Sequence, residues 1–240
     1  MLEILTDPSA FEKQEQLYIT LRRKEGRIYS DDTVQALPNV PSSHPLYKEW
    51  KVRKRSSEKL FNYLRDKNKP LDILEIGCGN GWLSHSLSRL QNSVVKGMDV
   101  NRTELEQADR VFDSVPNLTF MYGNIFDNIL KQGEFDIVVF AASVHYFKDI
   151  KKLVNRVKQI LKPGGEIHII DSPFYNSPAE AELAKERTIA YYTKMEVPEM
   201  AQYYNHLTYQ SLQVFHPKVT KPSFFEKLGG KAYFPWIIIS

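Results

Sequence analysis

LDILEIGCGNGW, residues 71–82, is an apolar run that breaks into three glycines and leads into a helical pattern. Residues 71–76 have the length and composition of a buried strand. Gly77, Gly79 and Gly81 let the backbone take positive φ and let a ligand approach main-chain atoms closely. The spacing is G-x-G-x-G, whereas a dinucleotide fingerprint is G-x-G-x-x-G. Glu75 stands at the strand end, two residues before the first glycine. A carboxylate there repels a pyrophosphate and suits a ligand that carries an ammonium group.

Outward from this loop, strand and helix patterns alternate. Residues 81–90 read as a helix, with Leu83, Leu87 and Leu90 at i, i+4 and i+7. A second strand covers 93–98, a helix 101–112, and further strands 118–122 and 135–141. The clearest helix is 149–161, where Ile150, Leu153, Val154, Val157, Ile160 and Leu161 form one stripe. Lys162-Pro163-Gly164-Gly165 stops it, and 166–171 reads as a fifth strand. Such spacing implies βαβ units, a mainly parallel sheet and helices on both faces. Ligands in these sheets bind at the carboxyl ends of strands. Asp99 sits at such an end, 22 residues after Gly77, where a carboxylate can accept both hydroxyls of a ribose.

On either side of this core the chain changes character. Residues 1–45 read as an N-terminal extension, helical around 11–23, and 46–66 as a helix with Leu60, Phe61 and Leu64 on one side. Residues 46–240 are then the main domain. Within it, 172–212 is rich in Tyr, Met and His and reads as a helical lid or insertion. Two short strand candidates, near 215–220 and 233–239, make a closing hairpin, with Lys227-Leu228-Gly229-Gly230 as a turn before the second.

The 240 residues suit one α/β domain with an embellishment. Net charge is +3, but nine Lys or Arg against three acids leave +6 between Lys48 and Lys69. A solvated helix face explains that stretch most simply; a patch for an anionic substrate or partner is the alternative. One cysteine, Cys78, excludes an internal disulfide and fits a reducing cytoplasm. The N-terminus lacks signal-peptide character, and no apolar run approaches the ~20 residues of a membrane span. No clustered acids and no His/Cys spacing suggest a metal.

Five segments together resemble the class I S-adenosylmethionine-dependent methyltransferases, in order and at family spacing. LDILEIGCGNGWLS is similar to their motif I, and GMDVN to the segment after it. YGNIFD resembles the adenine-contacting segment, FDIVVFAASVHYF motif IV and its exit loop, and LKPGGEIHIID the turn before the fifth strand. The resemblance implies an α/β Rossmann-like fold, with a mainly parallel seven-stranded sheet closed by an antiparallel hairpin. It implies S-adenosylmethionine as cofactor and S-adenosylhomocysteine as product. Carried over by position, Glu75 would orient the loop and the methionine amino group, and Gly77 and Gly79 would line the methionine part. Asp99 would bind the ribose hydroxyls, and Val100 would pack on the adenine. Asn124 would face the adenine amino group, with the Ile125 amide near a ring nitrogen, and Ala141 would offer its carbonyl to the methionine amino group. Family members often have Asp where Asn124 stands; the simpler reading of Asn124 is a turn residue.

Methyl transfer from a sulfonium is an in-line displacement that rests on proximity and alignment. A base is needed only when the nucleophile holds its proton at neutral pH. His145, four residues past Ala141, is the candidate catalytic residue, with a reference pKa near ~6.5; a packing or capping loop His is the alternative. Tyr146 and the tyrosines of 172–212 are candidates for a substrate roof, and Arg53 for a partner of the methionine carboxylate. The position after the fourth strand reads AASVHY and lacks the N/D/S-P-P-aromatic element of DNA amino-methyltransferases. Cys78, in the glycine loop, is not placed for pyrimidine C5 chemistry. The expected partner is a small molecule, accepting the methyl group on O, N or C, with no membrane and no nucleic acid; oligomeric state is left open. The competing readings are a non-catalytic cofactor-binding regulator, a nicotinamide oxidoreductase, and an RNA methyltransferase using the basic 48–69 face.

Overall fold

The computed structural model describes residues 2–221 and 234–240. The glycine stretch joins strand β2 (Asp72–Ile76) to helix α4 (Trp82–Leu87), and Gly81, at φ 75°, caps that helix in the left-handed region. The pattern then repeats. Strand β3 (Val94–Asp99) leads to α5 (Arg102–Val111), whose N-cap Asn101 accepts a hydrogen bond from the Glu104 amide. Strands β4 (Leu118–Tyr122) and β5 (Phe135–Ala141) follow, and then α6 (Ile150–Ile160), capped by Asp149.

Two helices precede β2 and matter below. They are α1 (Glu12–Lys24) and, after a short α2 (Asp31–Ala36), the long α3 (Tyr47–Arg65). Beyond β6 (Leu161–Ile170) come α7 (Pro178–Lys194) and two 3-10 turns, and then β7 (Lys218–Thr220) and β8 (Trp236–Ile239) pair antiparallel. The proposed turn at Lys227–Gly230 lies outside the described residues.

The sheet has eight strands in the order β1-β4-β3-β2-β5-β6-β8-β7, parallel except at the last two junctions. Seven of them match the arrangement expected from sequence. The eighth, β1 (Glu3–Ile4), comes from the N-terminal segment and adds parallel to the edge of β4. A second difference lies at Lys162–Gly165. Leu161 already pairs with Phe135, so β6 starts directly at the end of α6. The next four residues form a register irregularity, with Gly164 at φ 76°, before Glu166 pairs with Ile137.

Alternate residues of each strand feed opposite faces. Leu74, Met98 and Phe140 pack with Leu153, Val154 and Val157 of α6 on one side. Ile73, Val95 and Val139 pack with Leu60 and Leu64 of α3 and Leu83 and Leu87 of α4 on the other. Glu75 therefore points under α4, where it is 2% exposed. After β2 the chain builds outward through β3 and β4, then returns to the other side of β2 at β5. That reversal opens a crevice beyond the carboxyl ends of β2 and β5. No described helix is long and apolar enough to cross a membrane.

Candidate functional site

Three adjoining cavities occupy this crevice. The first, about 280 Å³, is walled by Gly77, Gly79, Asp99, Val100, Asn124 and Ile125. A small one of about 90 Å³ adds Glu75 and Ala141 to the same two glycines. The third, about 650 Å³, contains His145. Ala142, at φ 55°, borders all three. The structure thus gathers the eight cofactor-site candidates around the first two cavities and sets His145 on the third.

The glycine loop is fixed by what it touches. Gly77 has φ 75°, and a Cβ there would lie 2.3 Å from the Ser143 Cβ, so only glycine fits. The Ser143 hydroxyl donates to the Ile76 carbonyl (2.6 Å), tying the exit loops of β2 and β5 together. Gly79 has φ 51°, and a Cβ there would sit 3.0 Å from the Glu104 carboxylate. Its amide donates to Asp99 Oδ2 (2.8 Å), while Asp99 Oδ1 accepts from the Val100 and Asn101 amides (2.7 and 2.9 Å). Asp99 thereby holds the loop and its own turn, and Oδ2, with a single donor, keeps a lone pair for a hydroxyl.

Besides Glu15, the cavity walls carry three carboxyl groups at close quarters. Burial pushes Glu75 up to about 8 against the stabilising Ser84 hydroxyl, which donates to it at 2.6 Å. Glu104, half-buried, is pushed up to about 7 by desolvation and then by the neighbouring Asp99. Asp99 is raised by burial against its three amide donors. A cationic ligand relieves this strain by stabilising the ionised forms. S-adenosylmethionine carries an ammonium, a sulfonium and a ribose diol, so the donor set fits it; a pyrophosphate would meet three acids.

Asn124 lines the first cavity, but its Oδ1 accepts from the Phe126 amide (3.2 Å) and its own amide donates to the Thr6 hydroxyl (3.0 Å). The turn role weighed from sequence is therefore present in the fold alongside the cavity position. Ile125 is buried at the same wall.

His145 is 6% exposed, and its Nδ1 is buried without a hydrogen-bond partner. Its ring lies against Tyr204 (4.3 Å between centroids) and Tyr146 (4.4 Å). Burial, then the charges of Arg22 and Arg53, hold its pKa down to about 3. The imidazole is neutral across the physiological range. Asp171 lines the same cavity at φ 53°; it accepts from the Ser56 hydroxyl (2.9 Å), and burial raises it to about 6. Tyr146, Tyr175, Tyr191, Tyr192 and Tyr204 supply aromatic wall, while His206 is engaged by Thr188 (2.9 Å).

Sequence reading missed the contribution of α1. Phe11, Glu15 and Tyr18 close the first cavity, and Leu21 and Arg22 reach the third. Glu15 is anchored by the Thr103 amide and hydroxyl (2.8 Å each). The signal was faint: on a polar helix these residues look like an ordinary solvated face. Glu104 and Asp171 were missed for the same reason, a lone acid carrying no spacing signal. Among the described residues, no group of three or more His, Cys, Asp or Glu is placed to hold a metal.

Comparison with known proteins agrees with this geometry. Residues 73–165 match the family model of a methyltransferase domain. Malonyl-[acyl-carrier protein] O-methyltransferase 1 of Ilyobacter polytropus is 29% identical over 117 residues, covering 48% of this chain and 43% of that protein. The 27-O-demethylrifamycin SV methyltransferase of Amycolatopsis mediterranei is 28% identical over 118 residues, with 48% and 43% covered. The chain thus spans less than half the length of these curated relatives. In fold it is similar to the CurJ carbon methyltransferase, with a TM-score of 0.61 at 15% identity over 96% of this chain and 68% of that one. A geranyl diphosphate methyltransferase solved with S-adenosylmethionine gives 0.57 at 14% identity, over 83% and 91%.

Proposed function

We propose that the class I S-adenosylmethionine-dependent methyltransferase domain of this chain is a working enzyme, one that methylates a small molecule held in the 650 Å³ cavity. The observation that carries this reading is the shared wall. Ala142 and Tyr146 border both the cavity of the glycine loop and the aromatic cavity, so the two spaces adjoin and a methyl donor in one would lie beside an acceptor in the other. The cofactor supplies a methyl group on a positively charged sulfur.

The chain's own residues bind, orient and exclude water. Asp99 would accept a ribose hydroxyl at Oδ2 while keeping the Gly79 amide in place. Glu75 and the Ala141 carbonyl would face the methionine ammonium, and Val100, Asn124 and Ile125 the adenine. Arg22 and Arg53, which border the small cavity, are cations for the methionine carboxylate. His145 contacts the acceptor. Because the ring is kept neutral and weakly basic, hydrogen bonding suits it better than removing a proton. Segment 172–212 acts as the lid of the acceptor cavity, and residues 1–45 as an extension that closes the cofactor side. The names of the relatives, a malonyl carrier-protein and a rifamycin methyltransferase, support an organic acceptor of modest size. The basic 48–69 stretch supports a nucleic-acid partner poorly. Arg53, Arg65, Lys67 and Lys69 each pair with a carboxylate of this chain. A single buried thiol, Cys78, supports a cytoplasmic setting.

The test is turnover. Protein, S-adenosylmethionine and a fractionated metabolite extract are incubated, and S-adenosylhomocysteine is measured by mass spectrometry. A small-molecule fraction is expected to raise its formation well above the acceptor-free rate. Cofactor binding with no fraction raising that rate would favour a regulator and contradict the enzyme.

A further inference from the structure

The walls of the large cavity bear on what the acceptor is, and the inference rests on the methyltransferase reading above. Five cationic side chains border the cavity: Arg22, Arg27, Lys48, Arg53 and Arg187. Three carboxylates face them: Glu25, Glu49 and Asp171. The inner guanidiniums are shared out thinly. Glu49 takes a bidentate pair from Arg27 (2.7 and 2.6 Å) and a further bond from Arg53 (3.0 Å). Glu25 serves Arg22 (2.9 Å) and also lies near Arg27. Even so, the buried Arg27 Nε makes no hydrogen bond; it stands 3.1 Å from Glu25, but out of line. Asp171 is held by the Ser56 hydroxyl, not by an arginine. On α3 and α7, the exposed Lys48 and Arg187 form no ion pair among the described residues.

Arg22, Arg27 and Arg53 also border the small cavity, so a methionine carboxylate accounts for one of the two surplus positive charges. The other remains, and the sulfonium of a bound cofactor adds to it. In a partly enclosed space of low dielectric, such a field binds an anion and repels an ammonium. The field already acts on His145. Its unpartnered Nδ1 and neutral ring leave it a hydrogen-bonding group for an anion, since burial and then Arg22 and Arg53 oppose an imidazolium. The surrounding tyrosines, with Tyr204 against His145, suit a carbon skeleton with few other charges.

We propose that the acceptor is a small organic acid, bound as its carboxylate among the cations of the large cavity, and not a neutral alcohol or an amine. The experiment uses the whole chain saturated with S-adenosylhomocysteine. A panel of aliphatic and aromatic carboxylic acids, each with its primary amide and its amine of the same skeleton, is titrated calorimetrically. At least one acid is expected to bind about tenfold more tightly than its amide, with its amine weaker still. Arg187→Glu, an exposed change, is expected to weaken that acid about fivefold while leaving S-adenosylhomocysteine affinity unchanged. Amides or amines matching the acids across the panel, or no effect of Arg187→Glu on the acid, would overturn the proposal. Failure of S-adenosylhomocysteine itself to bind would instead overturn the methyltransferase reading.

Discussion

Gly77 is the position where the loop can least bear a side chain. An alanine Cβ would press on Ser143 at 2.3 Å and adopt φ 75°. We expect Gly77→Ala to destabilise the protein by about 2–4 kcal/mol in urea unfolding, the sum of overpacking and backbone strain. A change under about 0.5 kcal/mol, the size of an ordinary surface substitution, would show that the loop relaxes. Glu75 gives a prediction in pH. Its folded pKa of about 8 lies well above the ordinary glutamate value of 4.5. Its contribution to stability is therefore full below about pH 4.5 and is lost as pH rises through about 8. Glu104, raised to about 7, acts in the same direction. The ligand-free protein should melt at a lower temperature at pH 8 than at pH 6, and Glu75→Gln should flatten that slope. S-adenosylhomocysteine, whose ammonium favours ionised Glu75, should bind more tightly at pH 8 than at pH 6; an affinity independent of pH would remove Glu75 from the ammonium site. That Glu75, Gly77, Gly79 and Asp99 line the crevice was legible in the sequence, from residue type and spacing. Arg22, Glu104 and Asp171 were not, because their meaning arises only when separate elements meet.

At the scale of elements, periodicity recovered the buried helices and strands, and it failed where tertiary contact decides. Helix α6 was readable from its apolar stripe. The two-residue β1 carries no pattern and exists because β4 offers an open edge. The Lys162–Gly165 turn survives as an irregularity within β6, because pairing of Leu161 with Phe135 recruits the preceding residue into the sheet. Helix α1 read as part of a polar extension, yet Phe11 and Tyr18 close the glycine-loop cavity, and Leu21 packs with Tyr192, Val197 and Met200 beside α7. One helix thus bridges the glycine-loop cavity and the residues packed beside α7. Phe11→Ala with Tyr18→Ala should weaken S-adenosylhomocysteine binding about tenfold through lost apolar cover, a difference of roughly 1.4 kcal/mol. Binding unchanged in calorimetry would show that α1 merely lies nearby.

For the whole molecule, the reversal of chain direction at β2 and β5 puts the glycine loop, Asp99 and the exit loop of β5 around one crevice. That convergence was anticipated from the alternation of strands and helices, and His145, Tyr146, Arg53 and the tyrosines of 172–212 were named as candidates, whereas the charge balance of the large cavity was not read. Its walls come from α1, α3, α7 and the loop after β6, elements far apart in sequence whose mutual placement no local pattern encodes. The charge of residues 48–69 was visible as a surplus, but its partition was not. Two of those cations, Lys67 and Lys69 just past α3, pair with Glu166 and Asp136 of the sheet, while Arg53 and Lys48 face the cavity. The central claim is that the glycine loop and Asp99 form a sulfonium-cofactor site, and calorimetric titration tests it most directly. S-adenosylhomocysteine and NAD are each titrated into the wild-type chain and into folded Asp99→Ala. We predict saturable binding of S-adenosylhomocysteine by the wild type, at least about a hundredfold loss (roughly 2.7 kcal/mol) in the variant, and no binding of NAD. Binding of NAD alone, or an S-adenosylhomocysteine affinity that Asp99→Ala leaves within about threefold, would contradict it.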